Sequence, residues 1–112
     1  MAKKEQEIHE IESVPWTPVE GSPGTYEKIL NVDPETGSVT RLLRLEPGTE
    51  TKHVLRHEFY EELFVVAGSS VDLSRNIKIE SGYYGYRHPG MEHGPWRTEE
   101  GQITFEVHEY KK

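Results

Sequence analysis

The sequence predicts an all-β fold of antiparallel strands closed into a barrel or sandwich. Three observations predict it. After residue 13 no segment carries helical periodicity of useful length. Short runs rich in β-branched and apolar residues recur along the chain, each bounded by Gly, Pro, Ser or Asn. Ten glycines, seven prolines and eleven aromatic residues in 112 positions suit many turns and short strands.

The elements follow in order. Residues 1–13 are highly charged and are compatible with either a short helix or a disordered tail. VPWTPVEGSPG, with three prolines and two glycines, reads as a loop or an extended arm, with Trp16 as an anchor onto the barrel or a neighbouring subunit. TYEKILNV reads as a strand, DPETG at 33–37 as a turn, and SVTRLLRLE as the second strand of a hairpin. PGTE is a further turn, and strands are expected at 51–57, 61–67, 70–79, 83–88 and 102–110. The resulting division is a charged tail and Pro-rich arm at 1–25 and a barrel at 26–112.

Composition narrows the function. The net charge of -7 argues against non-specific nucleic-acid binding, which needs clustered Lys and Arg, and against anionic membrane surfaces. The absence of cysteine excludes disulfides, zinc fingers, iron–sulfur clusters and thiol nucleophiles. The start MAKKEQEIHEIE has no apolar core of a secretory signal, and no run approaches the ~18 apolar residues of a membrane span. A cytoplasmic protein is therefore expected. The apolar fraction of 33% implies a small core, and pairing of sheet edges in a homodimer would add to it.

The chemistry concentrates in HVLRHEFYEELFVVAG, residues 53–68, where two histidines and three carboxylates run into an apolar segment. Ionisable groups beside a buried run cost free energy unless they are compensated. Alternation along a strand puts His53, Leu55 and His57 on one face, and Glu61, Leu63, Val65 and Ala67 on one face of the next. His93 comes from a distant turn, HPGMEHGPW.

This pattern resembles the cupin superfamily. The first cupin motif places a Gly, a His-x-His pair, a Glu after three or four residues, and a Gly six residues later. Gly48, His57, Glu61 and Gly68 match it. The second motif runs Gly, five residues, Pro-x-Gly, two residues, His; Gly82, Gly90 and His93 match it, with Pro89 one place late and His88 in the usual proline position. The matching region is roughly residues 26–110. RHEFYEELFVVAG with YRHPGMEHGPW is similar to small single-domain bacterial cupins related to the zinc-binding cupin domain of anti-sigma factors.

The resemblance implies a double-stranded β-helix barrel of jelly-roll type around a small-molecule cavity. It also implies a divalent metal ion (Fe, Zn, Ni or Mn) on His57, Glu61 and His93, which would be the catalytic residues. Leu55 stands where the family places the first histidine of the pair. Two ligand sets remain open: His57, Glu61 and His93 alone, a two-His-one-carboxylate set, or the same three with His53, about 6.8 Å up the strand from Leu55. Leu55, Tyr86 and Trp96 are expected to line the pocket. The implied activity is dioxygenation or carbon–carbon cleavage of a diketone-like compound. The alternatives are a zinc-holding sensor, a small-molecule-binding cupin, and a metal-free isomerase with His57 and Glu61 as acid–base pair.

The remaining groups read as structural. His9 and His88 are expected to be solvated, Glu58 and Glu62 to face away from the site, and Arg56 and Arg97 to pair with surface acids. His108 alternates with Glu106 against Phe105 and Val107, which places it on the outer face.

Overall fold

The computed structural model describes residues 2–110, so Met1, Lys111 and Lys112, at the ends of the predicted tail and barrel, lie outside the described residues. Eight strands form: β1 (Thr17–Pro18), β2 (Thr25–Val32), β3 (Val39–Leu45), β4 (Tyr60–Asp72), β5 (Ile77–Glu80), β6 (Tyr84–Arg87), β7 (Trp96–Arg97) and β8 (Gln102–Glu109). The order is β1-β2-β3-β8-β4-β5, with β6 and β7 also on β4, and all pairings are antiparallel. No helix among the described residues is long and apolar enough to cross a membrane.

β4 organises the barrel. Its first part pairs with β8 and β6, and its end, Ser69–Asp72, pairs with β5, with β7 beside Val71 and Asp72. One strand therefore serves both walls. The change comes at a register shift between Val65 and Ala67, followed by Gly68 at φ +77. A bulge of this kind bends a strand and strengthens its twist. The expected strands 61–67 and 70–79 are thus one long strand and a short one, joined by a turn at residues 73–76. Asp72 Oδ1 accepts from the Ser74 and Arg75 amides there, at 3.0 and 3.1 Å, which fixes the turn.

The expected strand 51–57 does not form. That stretch is an irregular strap with isolated bridges at Glu50–Arg97 and Leu55–His93. The N-terminal segment is neither helical nor detached. Lys3 donates to Thr40 Oγ1, Gln6 to the Leu30 carbonyl, Asn31 to the Lys4 carbonyl and Lys28 to the Ile11 carbonyl, at 2.9 to 3.2 Å. Trp16 anchors the arm to the barrel itself, with Lys28 Nζ 4.8 Å and the Arg44 guanidinium 4.7 Å from its ring centre, a cation–π arrangement.

The interior is unusual in sign. Among the described residues only Leu45 and Val65 are buried apolar side chains, whereas Glu61, His93, Thr104, Glu106 and His108 are all buried. Phe64, Val66, Tyr84 and Phe105 stand exposed outside. The barrel wall carries these polar side chains inward, beside Leu43, Leu55 and Leu63, because it surrounds a cavity. Val65, fully inaccessible to solvent, is one of the few purely apolar plugs. Val65→Ala is expected to lower unfolding free energy by about 2 kcal/mol, read by urea denaturation. A loss within the error of the titration would mean that the wall closes around the gap.

Candidate metal centre

The strap and the turn before β7 hold each other by main-chain bonds. Leu55 N donates to the His93 carbonyl at 2.7 Å and His93 N to the Leu55 carbonyl at 3.0 Å. Gly90 N donates to the His57 carbonyl at 2.8 Å, and Thr51 N to the Trp96 carbonyl at 2.8 Å. These ties bring His57 and His93, 36 residues apart, to an Nε2–Nε2 separation of 3.1 Å. Glu61 enters from β4, and the ligand atoms of His57, Glu61 and His93 lie within 4.8 Å of one another.

A second group shares the same carboxylate. In the β4–β8 register Glu61 lies opposite His108. His108 Nε2 is 2.9 Å from Glu61 Oε2 and 3.0 Å from Glu106 Oε1. Glu61, Glu106 and His108 also place their ligand atoms within 4.8 Å. Arg87 on β6 donates to Glu61 Oε1 at 2.8 Å, and Arg41 on β3 joins Glu106 at 2.9 Å to Glu27 at 2.6 Å. Alternating charges thus run Glu27, Arg41, Glu106, His108, Glu61, Arg87 around the wall.

The electrostatics follow from this row. Burial alone would raise the Glu61 carboxyl, but the His108 hydrogen bond and the Arg87 charge outweigh it and hold Glu61 at about 2. Burial lowers His57, and burial with the Arg87 charge pushes His93 down to about 4. Burial works against protonation of His108 as well, yet the hydrogen bonds that it donates to Glu106 and Glu61 keep it above the ordinary histidine value. His93 Nδ1 lies 3.3 Å from the Met91 carbonyl. Donation there leaves the Nε2 lone pair facing into the cavity, the arrangement that orients ligating histidines.

These residues fit a divalent ion. Two imidazole nitrogens about 2.0–2.1 Å from one metal at roughly a right angle are ~3 Å apart, close to the 3.1 Å between His57 and His93. Neutral imidazoles and an ionised carboxylate are also the protonation states that ligands need.

The site opens into a cavity of about 380 Å³ lined by Leu43, Leu45, Leu55, Leu63, Trp96 and Phe59, among others. Leu55 and Trp96 thus lie on the cavity wall. Tyr86 does not: it faces outward with Tyr84, half exposed, and packs near Tyr60 and His88 at 6.3 and 5.3 Å. Its neighbour Arg87 faces inward, so the expectation was one residue out of phase. His53 is exposed on the strap and outside both ligand groups and the cavity lining. Glu62 and Glu58 are exposed, Glu62 bonded to the Tyr84 hydroxyl, and Arg56 pairs with Glu92 at the surface.

His108 corrects the sequence reading most. It is buried inside, on the cavity wall, and Phe105 is the exposed outer residue. The signal was present in QITFEVHE, where Gln102, Thr104, Glu106 and His108 alternate strictly with Ile103, Phe105 and Val107. The alternation is correct; only the choice of the apolar face as the inner one is not.

The model of the ChrR cupin-like domain matches residues 4–111. The chain belongs to that family. This cupin shares its fold with solved structures at low identity. Polyketide cyclase RemF from Streptomyces resistomycificus is 21% identical, with a TM-score of 0.74 over 94% of this chain and 79% of that one. An acetylacetone dioxygenase from Acinetobacter johnsonii is 19% identical, with a TM-score of 0.74 over 94% and 74%. The complex of Rhodobacter sphaeroides SigE with the anti-sigma ChrR is 21% identical, with a TM-score of 0.68 over 89% of this cupin and 52% of that chain, about half its length. No curated protein sequence matches this cupin significantly.

Proposed function

We propose that this cupin holds a divalent metal ion on His57, Glu61 and His93 and acts on a small oxygen-rich molecule in its cavity. The carrying observation is the convergence of those three ligand atoms within 4.8 Å at the wall of a cavity of about 380 Å³. The substrate class is an enolisable diketone or a similar bidentate oxygen ligand, and the reaction class is dioxygenation or carbon–carbon cleavage. The fold shared with an acetylacetone dioxygenase supports that choice. The ion, when bound, would polarise a carbonyl oxygen as a Lewis acid.

The chain's own residues do the rest. Leu43, Leu45, Leu63 and Trp96 seat the apolar part of the molecule and exclude water. Arg87 and His108 fix the Glu61 carboxylate through one oxygen each. His108 Nε2 holds a proton between Glu61 and Glu106.

The test is metal analysis of untagged protein, followed by oxygen uptake on pentane-2,4-dione. His57→Ala and His93→Ala are expected to lose the metal, and His53→Ala to keep it. Unchanged metal content in the first two would end the proposal. A metal-free reading, with His57 and Glu61 as acid–base pair, is favoured by one fact: both Glu61 oxygens already have protein partners. Wild-type protein that remains metal-free yet retains turnover would establish it.

The proposal includes a homodimer, supported by the apolar outer face at Phe64, Val66 and Tyr84. Sedimentation at micromolar concentration is expected to give twice the chain mass, and a monomer would remove the dimer from the proposal.

A further inference from the structure

We propose that the turn of the N-terminal arm, Val19 to Ser22, is the floor of the cavity and sets the length of the substrate. That substrate is a 1,3-diketone with an apolar chain about three to five carbons longer than that of pentane-2,4-dione. The inference rests on the diketone reading above and adds to it the size of the apolar part and the residue that limits it.

The strand register divides the cavity lengthwise. At one end His108, Glu61 and Arg87 lie side by side across β8, β4 and β6. Next come Arg41, Glu106 and Leu63 across β3, β8 and β4, then Leu43, Thr104 and Val65 on the same strands. The last row is Thr25, Leu45 and Gln102 across β2, β3 and β8. In these rows the ionisable groups that line the cavity all stand in the first two. His57 and His93 join them at that end, the His57 ring 6.4 Å from that of His108. From His108 to Gln102 is six residues of β8, a rise of ~20 Å along the strand. An oxygen-rich head at the triad therefore leaves a long uncharged stretch ahead of it.

The arm closes the uncharged end. Val19 N donates to the Thr25 carbonyl at 2.9 Å, Thr25 N to the Ser22 carbonyl at 3.0 Å and Ser22 N to the Val19 carbonyl at 3.2 Å. These bonds set Val19 and Ser22 beside Thr25, and all three line the cavity. Trp16, held by Lys28 and Arg44, fastens the chain three residues before Val19. Leu43, Leu45, Leu63 and Ile79 line the stretch between floor and triad. The Thr25 hydroxyl and the Gln102 side-chain oxygen are buried in the wall, so neither is open to a polar tail. Each methylene that leaves water for such a lining is worth about 4-fold in affinity. Volume sets the length. At the ~30 Å³ that a water takes in the liquid, about 380 Å³ is room for roughly a dozen non-hydrogen atoms. Pentane-2,4-dione has only seven.

The test is calorimetric titration of the full chain, with and without Zn²⁺, by a series of unbranched 2,4-diones from pentane- to dodecane-2,4-dione. Affinity is expected to rise about 4-fold per carbon, to reach an optimum between octane- and decane-2,4-dione, and to stop rising beyond it. Val19→Trp is expected to move the optimum to a shorter chain and Val19→Ala to a longer one. A flat series, or a rise that runs on to dodecane-2,4-dione, would overturn the inference even if neither variant folds. An optimum that stays in place in both folded variants would overturn it as well. The metal-free series separates this inference from the metal reading, because the gain per carbon comes from the apolar lining and not from the ion. A chain that takes up no Zn²⁺ yet shows the optimum would overturn the metal reading and leave this inference standing. Zn²⁺ uptake with a flat series would do the reverse. Binding of no dione to either form would overturn the diketone reading and this inference together.

Discussion

Glu61→Gln is expected to lower the unfolding free energy of the metal-free protein by about 3 kcal/mol at pH 7. Glu61 is buried and accepts from Arg87 at 2.8 Å and from His108 at 2.9 Å. Arg87 is itself mostly buried, and His108 almost wholly so. Removing the shared anion leaves the buried Arg87 guanidinium and the buried His108 N–H short of a partner, and that penalty exceeds the value of either bond alone. The effect should depend on acidity. The folded Glu61 carboxyl titrates near 2, below its ordinary 4.5. Its contribution is therefore complete above about pH 4.5 and is lost as the pH falls toward 2. The gap between wild type and Glu61→Gln should narrow over that interval. Chemical denaturation at pH 7 and pH 3 measures it, and a gap equal at both would contradict the assignment. Because both ligand groups share Glu61, metal affinity should also fall by at least ~100-fold, whichever histidines bind the ion.

Gly68→Ala is expected to abolish the fold or cost at least about 4 kcal/mol. A Cβ there would lie 2.0 Å from the Gly101 carbonyl oxygen and 2.8 and 2.9 Å from Gly101 C and Gln102 Cα. All three are main-chain atoms of the adjoining turn and strand, so no side chain can move aside. The residue also sits at φ +77, where an L side chain is disfavoured. Gly82→Ala separates the two effects. Its φ is +93, but an added Cβ meets nothing within 4 Å, so backbone conformation alone should cost about 1 kcal/mol. Equal losses in the two variants would show that the close approach at Gly68 relaxes. Gly68 is thus the point at which β4 leaves one wall for the other, and no other residue fits it.

Much of the fold was legible because the strands carry strong local signals. TYEKILNV became β2 at both ends, and QITFEVHE became β8. Their ends are set by Gly, Asp-Pro and polar turns, which act locally. The strand expected at 51–57 failed because its partners are distant. HVLRH has the alternation of a strand, but its main-chain ties to the 88–98 segment are the isolated Leu55–His93 bridge and the bond from Gly90 N to the His57 carbonyl. β7, two residues long, has no pattern of its own. His57, Glu61 and His93 were legible through motif spacing. Arg87 and His108 were not, because both sit inside by an argument that runs opposite to the usual one. In β6 and β8 the charged face of the strand is the inner face, beside the leucines that line the same cavity. Its place just before the second motif put Tyr86 on the pocket and the apolar alternation of β8 put His108 outside, and the structure reverses both.

The two tryptophans divide the molecule optically. Trp96 stands on the cavity wall with its ring centre 5.3 Å from that of His93. Trp16 lies on the far side of the wall, between Lys28 and Arg44, where the arm is fastened. They are the only two in the chain, so each can be isolated by a single Trp→Phe change. Emission left in Trp16→Phe then reports events inside the cavity, such as quenching by a paramagnetic ion beside His93. Emission left in Trp96→Phe reports release of the arm. Site occupancy and arm attachment can thus be followed separately, one in each variant, without an added dye.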